Sequence, residues 1–147
     1  MRLNEKKTKV IIFNYSKNYQ LSTKLYLQNE LLERVQSTKL LGTVVTQDLT
    51  WWESTNYLTR KGYQRLQLLK KLYEFNVPIT DLVIIYTLYV TSILEFNCCV
   101  WHFNINEAQE QDFERVQKIA CKIILKEKYQ SYESALKMLN LDNLSQR

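Results

Sequence analysis

An α+β chain is the fold class that three observations predict. Short strand-like apolar runs are confined to the first third, helical periodicity fills the rest, and Gly 2 and Pro 1 in 147 residues leave few interruptions. The expected architecture is a small antiparallel β-sheet over residues ~8–46, followed by a mainly antiparallel helical bundle of three long helices and a short C-terminal helix. A hydrophobic content of 46% suits one ordinary core, since a chain of about 150 residues buries roughly 70% of its unfolded surface. Three subregions are predicted: 1–48, 49–128 and 129–147.

The strand candidates are residues 8–14 (TKVIIFN), 24–28 (KLYLQ), 31–36 (LLERVQ) and 39–46 (KLLGTVVT). Each is a short apolar run bounded by Asn, Ser or Lys, the pattern of strands joined by turns. ELLERV fits a single helical turn equally well. In KLLGTVVT the glycine marks a hairpin turning near Gly42.

At Thr50 the period changes. Thr50-Trp51-Trp52-Glu53 predicts a capping box, the hydroxyl accepting from the third helical N–H and the glutamate reaching back. Trp51, Thr55, Leu58, Gly62, Leu66, Leu69 and Tyr73 then recur every three or four residues and form the inner stripe of a first helix. Arg60, Gln64, Gln67 and Lys71 fall on the opposite side, flanked by Lys61 and Lys70. Pro78 predicts its end, because proline disfavours helical geometry in the preceding residue.

A second helix is expected from about Ile79 to Val100, apolar on nearly every side and therefore buried between neighbours. The stretch Leu82–Trp101 carries Thr87, Thr91, Ser92, Glu95 and Asn97, and reads as a core helix rather than a bilayer span of about 20 apolar residues. A third helix, from about Glu107 to Lys126, follows Asn104 and Asn106. It has Glu107, Glu110 and Asp112 early and Lys118, Lys122 and Lys126 late, an order that suits the helix dipole. Its inner face is Phe113, Val116, Ala120 and Ile123 or Ile124. SYESALKMLNL, from Ser131, predicts the short final helix.

The formal charge is +5 and the pI about 9.0, which favours polyanionic partners. Basic residues outnumber acidic ones 8 to 4 in residues 1–48 and 5 to 2 in 49–75, while 76–105 holds none. Lys6, Lys7 and Lys9, with Arg60, Lys61 and Lys71, are candidate phosphate contacts, and Trp52 and Tyr63 are candidate stacking residues. The competing reading is a solvated lysine face over a tryptophan-containing core.

Catalytic machinery is sparse. The single histidine, His102, lies beside Trp101 and Phe103 and reads as a packed or capping residue. Cys98, Cys99, His102 and Cys121 are the only nitrogen and sulfur metal-ligand set to weigh, but adjacent cysteines diverge on a helix and zinc modules space theirs by two to four residues. No cofactor is expected. Gly42 and Gly62 stand alone, so no glycine-rich phosphate cradle exists, and one histidine cannot complete a two-histidine iron site. Three cysteines without an apolar leader predict an intracellular, non-secreted protein in a reducing compartment.

The order of short motifs resembles the post-catalytic part of reverse transcriptases from non-LTR (LINE-type) retrotransposons. The motifs are Leu3-Asn4-x-x-Lys7-Thr8, Lys39-Leu40-Leu41-Gly42-Thr43, Asp48-Leu49-Thr50-Trp51, Ile85-Tyr86, Ser92-Ile93-Leu94-Glu95-Phe96, Val100-Trp101, Arg115-Val116-Gln117-Lys118 and Ser131-Tyr132-Glu133-Ser134-Ala135-Leu136. The resemblance implies that residues 1–48 are the end of the palm, with Lys7 as the motif D lysine that protonates the leaving pyrophosphate. It also implies that Leu41 and Gly42 lie at the primer grip, that 49–128 is a thumb-like three-helix bundle, and that 129–147 is a truncated extension.

The implied role is contact with an RNA/DNA template-primer duplex, for which Arg60, Lys61 and Lys71 are the physical choice. The family's paired catalytic aspartates would precede Met1, and no Asp-Asp pair occurs here. The chain is thus expected to be a fragment without polymerase activity, separated from the palm and fingers of its parent, with no metal site and no membrane partner. Trp52 and Ser54 replace the small polar residue and the histidine common after the family's tryptophan. Two alternatives accompany this reading: an inactive helical fragment prone to self-association, and a protein similar to the pattern named the AlkB-homologue amino-terminal domain, without a catalytic site of its own.

Overall fold

The computed structural model describes Asn4, residues 8–13 and residues 24–144. The chain divides into two compact units, Met1–Ser54 and Thr55–Arg147. The α+β class holds: short strands come first and helices follow.

Among its described residues the first unit has six short strands, β1 (Lys9–Val10), β2 (Tyr26–Leu27), β3 (Glu30–Leu31), β4 (Glu33–Arg34), β5 (Ser37–Leu40) and β6 (Thr43–Thr46). They form three two-stranded ladders rather than the single antiparallel sheet expected. β2–β3 and β5–β6 are antiparallel, but β1 pairs with β4 in parallel, Lys9 opposite Glu33 and Val10 opposite Arg34. The 3.3 Å Lys9–Glu33 ion pair and the Val35 N–H to Val10 carbonyl bond hold that register. ELLERV is therefore extended, not helical.

Both hairpins turn on two residues in the left-handed region, Gln28-Asn29 and Leu41-Gly42, with φ of 50° and 72°, and 47° and 92°. Two positive φ values give a turn whose twist matches that of the flanking strands. Gly42 meets this requirement without steric cost. Leu41 does not, and sits there 87% exposed.

Six helical pieces follow: α1 (Trp52–Glu74), α2 (Ile79–Ile85), α3 (Ser92–Leu94), α4 (Cys98–Trp101), α5 (Glu107–Leu125) and α6 (Tyr132–Leu139). The capping box expected at Thr50 is displaced. Trp51 has φ 58°, outside helical geometry, so the helix begins one residue later. The Thr50 N–H and hydroxyl both donate to the Asp48 carboxylate at 3.2 Å, and the Thr46 hydroxyl donates to the same oxygen at 2.6 Å. An aspartate two residues upstream has captured the threonine, the usual competition between Asx turns and caps.

The inner stripe of α1 is as expected from Thr55 through Leu69, with Tyr73 half-buried. The helix stops in a Schellman motif: Asn76 is left-handed, Val77 N–H reaches the Leu72 carbonyl and Asn76 N–H the Tyr73 carbonyl. Pro78 then caps α2.

The second predicted helix is corrected in two ways. It is not one rod, because Tyr86–Thr91 between α2 and α3 widens into a π-helical segment and a turn at Glu95–Asn97, with Asn97 at φ 54°, separates α3 from α4. Nor is it buried all round. Leu82, Tyr86, Val90 and Leu94 face the core, but Ile84 and Leu88 are 55% and 71% exposed. Over Ile79–Asn104 the apolar window has the length and composition of a membrane span, yet only 22% of it is buried. One flank of this run packs on α1 and α5, and Ile84 and Leu88 lie on an exposed flank.

In α5 the N-cap is Asn106, which forms a full capping box with Gln109. Gln109 is 2% exposed, and its Nε2 donates to Thr55 Oγ1 at 3.0 Å, so one side chain joins the cap to α1. Phe113, Val116, Ala120 and Ile124 form the inner face, with Gln117 and Cys121 beside them. α6 begins in a Ser131–Ser134 capping box and ends at left-handed Asn140.

Candidate nucleic-acid interface

Contacts along α1 and α5 set the geometry of the basic surface. Thr55 meets Gln109, a Cβ at Gly62 would lie 3.1 Å from Val116, and Lys126 lies over Tyr73. These pairings advance together in sequence, so α1 and α5 run parallel. Their C-terminal ends, each rich in lysine, therefore lie side by side. The α2–α3 run is antiparallel to both: Tyr86 meets Gln117 and Leu94 approaches Gly62.

The cations chosen from sequence are located as follows. Arg60 and Lys71 are exposed on α1, with Gln64 and Gln67 between them, and Lys61 is half-exposed with its ammonium 5.8 Å from the Tyr57 ring. They form the expected polar stripe. Leu41 and Gly42 form the tip of the β5–β6 hairpin in the first unit, whereas the α1 cations belong to the second. Lys7 lies outside the described residues. Of the stacking candidates, Trp52 is 49% exposed. Tyr63 is half-buried, and burial followed by the Asp112 charge raises its phenol above the ordinary range.

The structure adds a group that sequence reasoning did not select. Between the C-terminal halves of α1 and α5 runs a groove lined by Lys70, Tyr73, Ile119, Lys122, Ile123 and Lys126, with the Glu74 carboxylate among the lysines. The Lys126 ammonium stands 4.3 Å from the centre of the Tyr73 ring, and that of Lys122 5.5 Å from the Tyr129 ring. Lysine over an aromatic face keeps its charge while its stem is held. Lys126 also has φ 44° at the α5 terminus, a conformation uncommon for lysine. Helix C-termini attract lysine for stability alone, by about 0.3–1 kcal/mol each. Tyrosine rings under two of the three ammonium groups go beyond that need. The signal in the sequence is Lys118, Lys122 and Lys126 at four-residue spacing, an order that the helix dipole also favours.

Arg65 is occupied otherwise. Its guanidinium lies 4.4 Å from the Tyr89 ring centre and donates to the Tyr89 carbonyl and, at 3.3 Å, to Ser92 Oγ. It holds the π-helical segment against α1.

A second concavity, about 330 Å³, is lined by Leu94, Cys98, Trp101, His102 and Phe113 with Glu95 and Glu110. Trp101 stacks on Phe113 with ring centres 5.2 Å apart and donates its indole N–H to the Phe96 carbonyl at 2.9 Å. His102 is packed edge-on against Phe103. Cys121 is fully buried in α5, while Cys98 and Cys99 are exposed. Burial pushes the Cys121 thiol up to about 11. Among the described residues no three His, Cys, Asp or Glu side chains converge as a metal site.

No protein-family model, curated protein or solved structure matches the chain.

Proposed function

We propose that the chain is a nucleic-acid-binding fragment of a non-LTR reverse transcriptase, corresponding to the end of the palm and the thumb. It holds the backbone of an RNA/DNA duplex without polymerising. The observation that carries this reading is the groove in which Lys70, Lys122 and Lys126 flank Tyr73. Arg60, Lys61 and Lys71 on α1 extend the cationic surface. Contacts of this kind go to phosphates, which position a duplex without reading its sequence. The missing aspartate pair leaves no means to hold two metal ions at a reacting phosphate, so Lys7 has no transfer to assist in this chain.

Fluorescence anisotropy with a mixed-sequence RNA/DNA hybrid tests the proposal. The three groove lysines alone predict an affinity that falls roughly 40-fold between 50 and 200 mM salt, and contacts from Arg60, Lys61 and Lys71 would steepen the fall. Changing Lys70, Lys122 and Lys126 together to Ala should lower the log–log salt slope by about 3. Absence of binding at 50 mM salt would reject the reading.

A second reading draws on Ile84 in α2 and Leu88 in the π-helical segment, both apolar and exposed. On that view the fragment is an interaction element that self-associates. Sedimentation across a concentration series separates the two, since a monomer that binds the hybrid supports only the first.

A further inference from the structure

Between α3 and α4 the helix is interrupted at Asn97, whose φ is 54°. The Cys98 N–H donates back to the Glu95 carbonyl at 3.1 Å and the Trp101 indole N–H to the Phe96 carbonyl at 2.9 Å, so α4 folds back on that turn. A cavity of about 330 Å³ remains between the turn, α4 and the first half of α5. Its inner walls are apolar. Leu94, Trp101 and Phe113 are 5% exposed or less, the two rings fixed by their stack, and half-buried Ile105 and Leu144 complete the lining.

Two carboxylates stand at this apolar hollow. Glu110 comes from the first turn of α5, where the helix dipole favours a negative charge, and it is half-buried. Glu95 comes from the turn before α4; it has contacts of its own, and its charge adds to the same field. Cys98 and His102, one helical turn apart, are the other polar members, and the exposed Cys98 marks the rim. No lysine or arginine lines the cavity among the described residues. Arg115, the first basic residue of α5, holds Asp112 at 2.6 Å.

This chemistry narrows the ligand. A phosphate or a fatty acid would bring a like charge to both carboxylates, and a metal ion finds no set of three ligands among the described residues. A wholly apolar molecule would fill the walls but desolvate Glu110 without compensation. An apolar body that carries an ammonium group suits both, and low-dielectric walls focus the field of the carboxylates on it. Ligand pockets span about 300–1,000 Å³, so a cavity at the small end takes a body of one or two rings. We propose that the cavity between the Asn97 turn and α5 binds a small organic ammonium, its ring body against the Leu94, Trp101 and Phe113 wall and its charge at Glu110. The site is independent of the lysine groove, which lies at the other end of α5.

Calorimetry on the full chain at pH 8 compares three probes of similar shape: 2-(1-naphthyl)ethylamine, 2-(1-naphthyl)ethanol and 1-naphthaleneacetate. The amine should bind most tightly and the acetate least. Glu110→Gln should weaken the amine roughly 5- to 10-fold, between the worth of an exposed ion pair and that of a buried charged hydrogen bond, and leave the alcohol unchanged. Glu110→Asp should keep the preference for the amine. A second readout places the probe. In Cys99→Ser the exposed thiol is Cys98, since Cys121 is buried, and saturating amine should slow its alkylation by iodoacetamide.

Equal affinity for the three probes would overturn the proposal, as would tighter binding of the acetate or no detectable binding of the amine up to about 1 mM. So would amine affinity that is unchanged in a folded Glu110→Gln protein, or Cys98 alkylation that is indifferent to the amine. If Glu110→Gln unfolds by circular dichroism, the probe series and the Cys98 protection decide the matter with Glu110 in place.

Discussion

At the scale of single residues, buried polar side chains do much of the specifying. The Tyr86 hydroxyl donates to Gln117 Oε1 at 2.9 Å, and Gln117 Nε2 donates to the Asp142 carbonyl at 2.7 Å, with both side chains about 1% exposed. Tyr86→Phe leaves one amide oxygen unpaired in the core and should cost about 1–3 kcal/mol in urea unfolding. Tyr132 donates to the Glu114 carboxylate, and burial, then that hydrogen bond, raises its phenol far above the ordinary range.

The elevated Cys121 thiol predicts selective chemistry. Iodoacetamide should label Cys98 and Cys99 in the native protein and Cys121 only after denaturation, read as two and then three adducts by mass spectrometry. Asp48 carries a pH dependence. The Thr46 hydroxyl, then the Thr50 N–H, hold its carboxyl below the ordinary 3.8. Its folded value is depressed, so the stabilisation is full above pH 3.8 and fades as pH falls below it. Trp52 fluorescence followed through acid titration should therefore change below pH 4, and Asp48→Asn should remove the change.

At the scale of elements, the sequence was clearest where the helical period was strong. The α1 stripe and the inner face of α5 follow directly from helical spacing, and Ile124 rather than Ile123 takes the buried position. Local rules failed where a neighbour intervened. Thr50 is a good cap by type, yet Asp48 lies close enough to claim both its donors. Leu41 and Gln28 have no preference for left-handed geometry, so only Gly42 and Asn29 announced the turns. The groove of Lys70 and Lys126 depends on α1 and α5 being parallel, a tertiary fact that no periodicity encodes.

Gly62 marks the closest approach of the bundle. A Cβ there would sit 2.8 Å from Leu94 Cδ2 and 3.1 Å from Val116 Cγ1. The leucine tip can yield, but the β-branched valine is stiff. Overpacking of about 1–3 kcal/mol outweighs the gain of about 1 kcal/mol in helix propensity. Gly62→Ala should thus lower stability by about 1 kcal/mol, and Gly62→Val by more, in chemical denaturation. Asn106→Ala should cost about 1 kcal/mol through the lost capping box.

At the scale of the whole molecule, charge and hydrophobicity are segregated. Basic side chains collect on α1 and the C-terminal half of α5, while residues 76–105 hold no lysine or arginine at all. If the basic surface carries function, raising salt should weaken RNA/DNA hybrid binding while leaving the circular dichroism spectrum unchanged. If the apolar flank carries it, Ile84→Ser with Leu88→Ser should abolish self-association without affecting hybrid binding.

The break at Asn97 bears on how the most apolar part of this chain meets a bilayer. From Ile79 to Leu94 the helical run is 16 residues, the 7, 6 and 3 of its successive pieces with the π-helical segment in the middle, and thus at most about 24 Å long. A hydrocarbon core is about 30 Å thick. A rod of that length stops short of the far side, and completing the crossing would carry the Glu95–Asn97 turn and its carboxylate into hydrocarbon. The same left-handed asparagine that sets the path from α3 to α4 therefore places a polar turn inside the apolar run Ile79–Asn104.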